Sequence, residues 1–131
     1  MAKKIKIKKT EVKKKVNLEL LYMTDQVVDV KDFERVLAVE AKTEIHVWPE
    51  IGIMEFNMPS TATADFETMT DYMSDEEDLQ FMKERNVNTV YAITIDQEAF
   101  EEFLPYMKKL VLELGGFLCS DSDDFSPFYE L

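Results

Sequence analysis

The 131-residue sequence predicts an α+β fold, a two-layer sandwich in which a mostly antiparallel sheet carries helices on one face. Short segments in which apolar and polar residues alternate have the period of half-buried strands. Longer segments between them repeat apolar residues at the three- and four-residue spacing of amphipathic helices. The resulting order, β-α-β-β-α-α-β-α-β, fits a ferredoxin-like core with a helical insertion as one topology.

The first predicted strand and helix follow a Lys-rich segment. Apolar residues at every even position from Val16 to Tyr22 predict a strand over residues 16–23. Asp29 or Asp32 is expected to cap a helix that continues to Glu40. The apolar residues of that helix share one face: Phe33, Val36 and Leu37.

A pair of antiparallel strands is predicted on either side of Pro49–Gly52. Pro49 ends the first strand, because proline has no N–H to donate to a sheet ladder. One apolar set alternates with polar neighbours in each strand: Ile45 and Val47, then Met54, Phe56 and Met58. His46 and Trp48 share the other face of the first strand, where Trp48 either packs under a helix or offers an exposed contact.

Residues 59–88 are predicted to hold a second helical region. Three apolar residues recur there at intervals of three and four: Phe66, Met69 and Met73. Ser74 and Glu77 form a capping-box pattern at the start of a short helix that ends near Arg85. The buried side of this helix is expected to be Leu79 and Met82.

The next segment is predicted to supply a central strand and the longest helix. Thr89–Ile95 is apolar on both faces, which is typical of a strand that is covered on both sides. Asp96 is expected to cap a helix that Gly115 ends. Pro105 lies inside that helix and predicts a kink or two abutting pieces. Phe117–Cys119 is predicted to return as a short strand.

The last residues combine acids with aromatic side chains. Asp121–Asp124 are predicted to form an acidic turn. Phe125–Tyr129 are expected to pack against the core as a strand or an ordered coil, because three aromatic rings are costly to leave in water. If they were exposed instead, they would resemble an acidic–aromatic docking peptide.

The charge is distributed unevenly along the chain. Formal net charge is −12, yet residues 1–15 hold eight lysines and one glutamate, a net charge of +7 that leaves −19 for residues 16–131. We expect residues 1–15 to be a Lys-rich strand or frayed arm and residues 16–131 to be a single α+β domain. An acidic body repels nucleic acid and anionic membranes and favours a basic protein partner. No apolar run approaches the roughly 20 residues of a membrane span.

Few residues suggest catalysis or metal binding. The chain has one cysteine, Cys119, and one histidine, His46, too few for the common structural zinc sites. Residues 121–124, DSDD, lack the spacing of an EF-hand, and the sequence has no Gly-rich phosphate loop. We therefore predict no enzyme, no catalytic residue, no metal and no cofactor. Cys119 is interpreted as a buried structural thiol in a cytoplasmic protein.

These patterns predict a small acidic, non-enzymatic protein-interaction module, of the inhibitor or immunity type, that binds a basic partner. A homodimer is also compatible with the sequence. The predicted partner-binding residues are one aromatic and eight carboxylates: Trp48, Asp71, Asp75, Glu76, Glu77, Asp78, Asp121, Asp123 and Asp124. Two alternatives remain, namely a small-molecule-binding regulatory domain that dimerises through its sheet and an enzyme that pairs His46 with an acid or Cys119.

Overall fold

The computed structural model describes residues 16–69 and 75–131, which form a seven-stranded sheet and three α-helices. The strands are β1 (Asn17–Thr24), β2 (Glu44–Trp48), β3 (Ile53–Asn57), β4 (Thr63–Thr68), β5 (Thr89–Asp96), β6 (Phe117–Ser120) and β7 (Phe128–Tyr129). The helices are α1 (Val30–Leu37), α2 (Glu76–Glu84) and α3 (Phe100–Leu114). The α+β class is confirmed.

The sheet order is β2-β3-β4-β5-β1-β6-β7, and every neighbouring pair is antiparallel. Strand β1 therefore lies between β5 and β6, and β2 and β7 form the two edges. The predicted strands over 16–23 and Thr89–Ile95 correspond to β1 and β5 to within a residue at each end. The predicted segment 1–15 lies outside the described residues.

The hairpin between β2 and β3 forms as predicted. Val47 pairs with Met54, and a short 3₁₀ turn over Pro49–Ile51 connects the strands. Gly52 closes the turn with φ +66°, in the left-handed region that glycine adopts without steric cost. A Cβ at Gly52 would also lie 2.4 Å from Cγ2 of Thr68, so the position requires glycine on two grounds.

Residues 63–68 form a strand, so the prediction of a second helical region within residues 59–88 is wrong for its first part, around Phe66. In β4 the buried Ala64 and Phe66 alternate with the outward Asp65 and Glu67, which is a period of two. The three- and four-residue spacing that begins at Phe66 therefore does not indicate a helix here. Register in the sheet, Phe66 opposite Ile93 and Met54, determines the conformation instead.

Helix α1 begins with a reciprocal cap made by both predicted candidates. The Asp29 carboxylate accepts from the Lys31 and Asp32 amides at 2.9 and 3.3 Å, and the Asp32 carboxylate accepts from the Asp29 amide at 2.9 Å. The helix ends at Leu37, before the predicted Glu40. The Glu40 carboxylate instead pairs with the Lys109 ammonium of α3.

Helix α3 is continuous through Pro105, so it is not divided into two pieces. Asp96 caps the 3₁₀ turn that precedes it by accepting from the Glu98 amide at 2.9 Å. The last turn of α3 is attached to β1 through two side chains. Tyr22 donates to the Gly115 carbonyl at 2.5 Å, and Thr24 donates to the Leu114 carbonyl at 3.1 Å.

Helices α1 and α3 pack on one face of the sheet around a group of aromatic rings. The centre of this core is Phe33, whose ring centroid lies 5.6 Å from Tyr22, 5.3 Å from Phe66 and 4.8 Å from Tyr91. Tyr22 and Tyr91 meet the Phe33 ring edge-to-face, and such contacts add to the free energy gained by burying the rings. The side chains of Phe33, Tyr22 and Phe66 are completely buried.

The other face of the sheet carries a second, smaller core. Leu21, Met23, Val90, Cys119 and Phe125 are buried there. Side chains of α2 pack against this cluster, namely Phe81 and Met82. Helix α2 therefore lies opposite α1 and α3, which differs from the prediction of helices on a single face. The reason is that β1 and β5 are apolar on both faces at this point and require cover on both.

No helix within residues 16–69 and 75–131 combines the length and the hydropathy that crossing a bilayer demands.

Replacing Phe33 by alanine is expected to lower the free energy of unfolding by about 3–5 kcal/mol, because the cavity would adjoin three aromatic rings. Val39→Ala is the control, since the Val39 side chain is 73% exposed, and we expect a change of about 0.5 kcal/mol or less. Urea denaturation followed by circular dichroism measures both. Similar losses in the two variants would contradict the central position of Phe33.

Candidate functional site

The face of the sheet that holds α2 is open beyond the helix. Outward side chains of β2, β3 and β4 are exposed or half-buried there, while their neighbours in sequence face the main core. The outward set is Glu44, His46, Trp48, Ile53, Glu55, Asn57, Thr63, Asp65 and Glu67. A large part of the sheet therefore presents side chains to solvent.

Strand register aligns polar side chains into a row across this open face. His46 lies opposite Glu55, Glu55 opposite Asp65, and Asp65 opposite Thr94. Thr94 lies opposite Glu19 and donates to its carboxylate at 3.1 Å. We call this surface the acidic face; its carboxylates are Glu19, Glu44, Glu55, Asp65 and Glu67.

Carboxylates on the acidic face repel one another. Partial burial and the negative charge of Glu55 raise the pKa of Asp65 above its ordinary value. Burial together with the charges of Glu19 and Asp78 raises the pKa of Asp121 in the same way. Glu19 and Asp121 are also adjacent through the backbone, since the Asp121 amide donates to the Glu19 carbonyl at 3.0 Å. The repulsion therefore extends from β4 to α2 and the loop after β6.

The lysines and arginines of residues 16–69 and 75–131 lie on helices and in loops. None of its seven strands contains a lysine or arginine. Arg35 of α1 pairs with Asp32 at 3.1 Å, and Lys109 of α3 pairs with Glu40. The guanidinium of Arg85, at the end of α2, lies 3.8 Å from the centre of the Phe81 ring. Within the strands, the acidic face consequently has no Lys or Arg to neutralise it.

The acids at the start of α2 divide into two roles. Asp75 is the N-cap and accepts from the Glu77 amide at 3.1 Å, so the cap is one residue later than the predicted Ser74, itself outside the described residues. Glu76 and Glu77 are exposed and line a depression of about 500 Å³. Their position in the first turn also suits the positive end of the helix dipole.

The packing of α2 differs from its prediction in one side chain. Leu79, predicted as buried, is 49% exposed, whereas Met82 is half-buried as part of the second core. The helical residue that fills the interface is Phe81, whose ring centroid lies 4.4 Å from that of Phe125. Leu79 therefore belongs to the solvent-exposed surface of the helix.

The acidic turn after β6 is ordered by its own hydrogen bonds. The Asp124 carboxylate accepts from the Ser126 amide at 3.1 Å and from the Ser122 hydroxyl at 3.3 Å. The bond from the Ser126 amide lowers the pKa of Asp124. Asp123 is exposed. The Asp124 carboxylate therefore has a structural role in the turn, while Asp123 faces solvent.

The aromatic residues at the end of the chain are packed in part, as predicted. Phe125 is only 4% exposed, and the Tyr129 ring lies 5.1 Å from Phe100 between centroids. Phe128 remains 46% exposed and lies 6.0 Å from the Phe81 ring. The tail closes the second core and leaves one ring at the surface.

The structure brings together some of the predicted partner-binding residues. Asp78 and Asp121 lie close enough for their charges to interact, on different elements. Trp48 is 43% exposed on the acidic face rather than packed under a helix. Asp71 lies outside the described residues. The carboxylates of β1 to β4 were missed, because an alternating acid becomes part of a row only when the strand register is known.

His46 and Cys119 are not brought together. His46 Nε2 lies 3.7 Å from the Glu44 carboxylate, and both side chains are largely exposed. Cys119 is buried on β6, five strand positions from β2 and so about 24 Å away at 4.8 Å per strand. Residues 16–69 and 75–131 contain no group of three or more side chains placed to hold a metal ion.

Comparisons with protein-family models, curated proteins and solved structures find no match for this chain.

Cys119 is expected to resist thiol reagents in the folded protein. Burial, with a further contribution from the charge of Asp121, raises the pKa of Cys119 to about 12, so almost no thiolate exists at pH 8. Labelling with a chromogenic disulfide at pH 8 should be at least about a hundredfold slower in native protein than in concentrated urea. Native labelling as fast as that of the unfolded chain would contradict this placement.

Asp65→Asn is expected to stabilise the fold at pH 7 by about 0.5 kcal/mol or less, because solvent screens this partly exposed pair. The folded-state pKa of Asp65 is raised above 3.8, so its ionisation destabilises the native state as pH rises through that pKa. The gain should therefore disappear near pH 3, where Asp65 is protonated in both states.

Urea denaturation at pH 7 and pH 3 measures this difference. Glu113→Gln on α3 is the matched control, because it removes one exposed carboxylate from the opposite side of the sheet. We expect a smaller gain from it at pH 7. An equal gain in the two variants would show that net charge alone is responsible.

Proposed function

We propose that this protein is a non-enzymatic interaction module whose acidic face binds a basic protein partner, as an inhibitor or immunity-type protein would. The observation that carries the proposal is the set of five carboxylates on an open sheet face whose strands contain no lysine or arginine. Glu55 and Asp65 lie directly opposite each other within it. Like charges in directly paired positions destabilise a sheet, so a cationic partner that neutralised them would recover that free energy.

Electrostatic attraction would act before contact as well as after it. A surface with one sign of charge raises the local concentration of an oppositely charged partner and accelerates its association. Asp78 and Asp121 extend the negative potential from the sheet to α2 and the turn after β6. A basic partner would therefore meet carboxylates of the sheet, of α2 and of the turn after β6.

Trp48 supplies the apolar part of the proposed contact. Its side chain is 43% exposed at the end of β2, opposite the half-buried Ile53. Tryptophan is enriched among the residues that dominate binding energy, because a large ring can be desolvated with little loss of conformational entropy. Carboxylates would orient the partner, and Trp48 would anchor it.

The topology supports a ferredoxin-like core as the scaffold. Strands β4, β5, β1 and β6 are consecutive in the sheet, α1 follows β1, and α3 connects β5 to β6. Strands β2 and β3 then extend one side of this core, β7 extends the other, and α2 is the helical insertion. A single, buried thiol at Cys119 favours a reducing, cytoplasmic setting.

Binding to an octalysine peptide tests the acidic face directly. We expect affinity to fall with rising salt, because binding releases counterions and screening weakens the attraction. The double variant Glu55→Lys/Asp65→Lys should weaken binding at least about tenfold, whereas Glu101→Lys/Glu113→Lys on α3 should change it less than about twofold. Both variants change net charge by the same amount.

Calorimetric titration or Trp48 fluorescence gives the dissociation constants. Equal losses in the two double variants would show that overall charge, rather than the acidic face, governs binding. Affinity that ignored salt would remove the electrostatic mechanism. Circular dichroism of each variant establishes that it is folded before binding is compared.

A further inference from the structure

A shallow groove lies on the acidic face beside the point at which residues 1–15 join the described chain. It has a volume of about 440 Å³ and is lined in part by Asn17, Asp65 and Thr94. Asp96 and Glu98 are two further acids in its lining. No lysine or arginine is among the residues that line it. The groove therefore continues the acidic face to the start of β1.

The chain is held at the mouth of this groove. The Gln97 amide donates to the Val16 carbonyl at 2.8 Å, and Asn17 pairs with Asp96 as the first residue of β1. Residues 1–15 are covalently attached at this position. Any contact they make with the groove therefore begins within one or two residues of its lining.

Charge complementarity favours residues 1–15 as the occupant of this face. They hold eight lysines and one glutamate, a net charge of +7, whereas residues 16–131 carry −19. The acidic face and the groove together hold a run of carboxylates with no basic side chain in the described strands. Attraction between such surfaces extends over about 8 Å at physiological ionic strength.

The segment is also long enough to cover the face. Fifteen residues reach at most about 50 Å when extended. From β1 to β2 the face spans four strand spacings, which is about 19 Å. The lysines nearest the start of the segment can therefore reach carboxylates as far as Glu44 on the edge strand, while those next to Val16 can reach only the strands close to β1.

We propose that residues 1–15 dock on the acidic face of their own chain and compete there with a basic partner. Docking itself stands on the groove, the attachment point and the charges; competition also rests on the proposed function. Attachment gives the segment an effective concentration on the order of millimolar at the face. A partner must displace it, so its apparent affinity is reduced by the fraction of molecules in which the face is free.

Carbodiimide coupling in the full chain tests the docking, because it joins a lysine amine to a carboxylate in direct contact. We expect intrachain products between residues 1–15 and the acids Glu55, Asp65, Asp96 and Glu98, identified by mass spectrometry of the monomer. Products with Glu101 and Glu113 of α3 should be at least about fivefold rarer at low salt, and 0.5 M salt should abolish the preference. Coupling spread evenly over both faces would overturn the proposal.

Varying the protein concentration distinguishes docking within one chain from docking between two copies. Intrachain coupling gives a monomer-mass product whose yield is independent of concentration. Products confined to a dimer, with a yield that rises with concentration, would show that the occupant is a second copy and that docking within one chain is wrong.

The competition is tested with a full-length variant in which Lys3, Lys4, Lys6, Lys8 and Lys9 are replaced by glutamine. We expect this variant to bind octalysine about three- to tenfold more tightly than the wild type, because fewer molecules have an occupied face. Equal affinity of the variant and the wild type for octalysine would show that residues 1–15 do not compete for the face. If octalysine bound the acidic face but no coupling to residues 1–15 were found, the proposed function would stand and the docking would be wrong. If coupling were found but octalysine bound neither protein, the docking would stand and the proposed function would be wrong.

Discussion

Burial of β1 on both of its faces is the constraint on which the rest of the structure depends. Five consecutive residues, Leu20 to Thr24, are buried, with alternate side chains directed to opposite sides of the sheet. Tyr22 enters the main core, whereas Leu21 and Met23 require cover from α2 and Phe125. Hydrogen bonds from Tyr22 and Thr24 also fix the end of α3 against this strand. Each of the three helices is therefore positioned by its relation to β1 and the strands beside it.

The same constraint explains why the acidic face stays open. Helix α2 has nine residues, about 13 Å at 1.5 Å per residue, and it packs only where β1, β5 and β6 are apolar. Outward positions of β2 to β4 are mainly polar, so they need no cover. Basic side chains are instead distributed on the helices and loops. No lysine or arginine therefore stands beside Glu55 and Asp65 in the strands, and the sheet retains a repulsion that a cross-strand ion pair would relieve.

Much of the fold could be predicted from local sequence patterns, but less of the candidate site could be predicted, because it depends on strand register. Strands β1, β2, β3 and β5 and helices α1 and α3 have clear periods or caps in the sequence. Strand β4 was missed, because Phe66 also fits a helical spacing and its partners Met54 and Ile93 are distant in the chain. Without β4 the pairing of Glu55 with Asp65 could not be foreseen. The alternation of Ala64 and Phe66 with polar residues was the available signal.

Both edges of the described sheet are short, and this limits binding by strand addition. Strand β2 has five residues and stops at Pro49, and β7 has two. Neither edge offers a long row of free peptide groups to which another chain could add as a strand. If the acidic face binds a basic partner as proposed, selectivity would depend on how densely positive charge is spaced along that partner rather than on its exact residue order. Unrelated sequences with similar charge spacing could be recognised equally well, so one such protein could serve a set of partners that diverge freely.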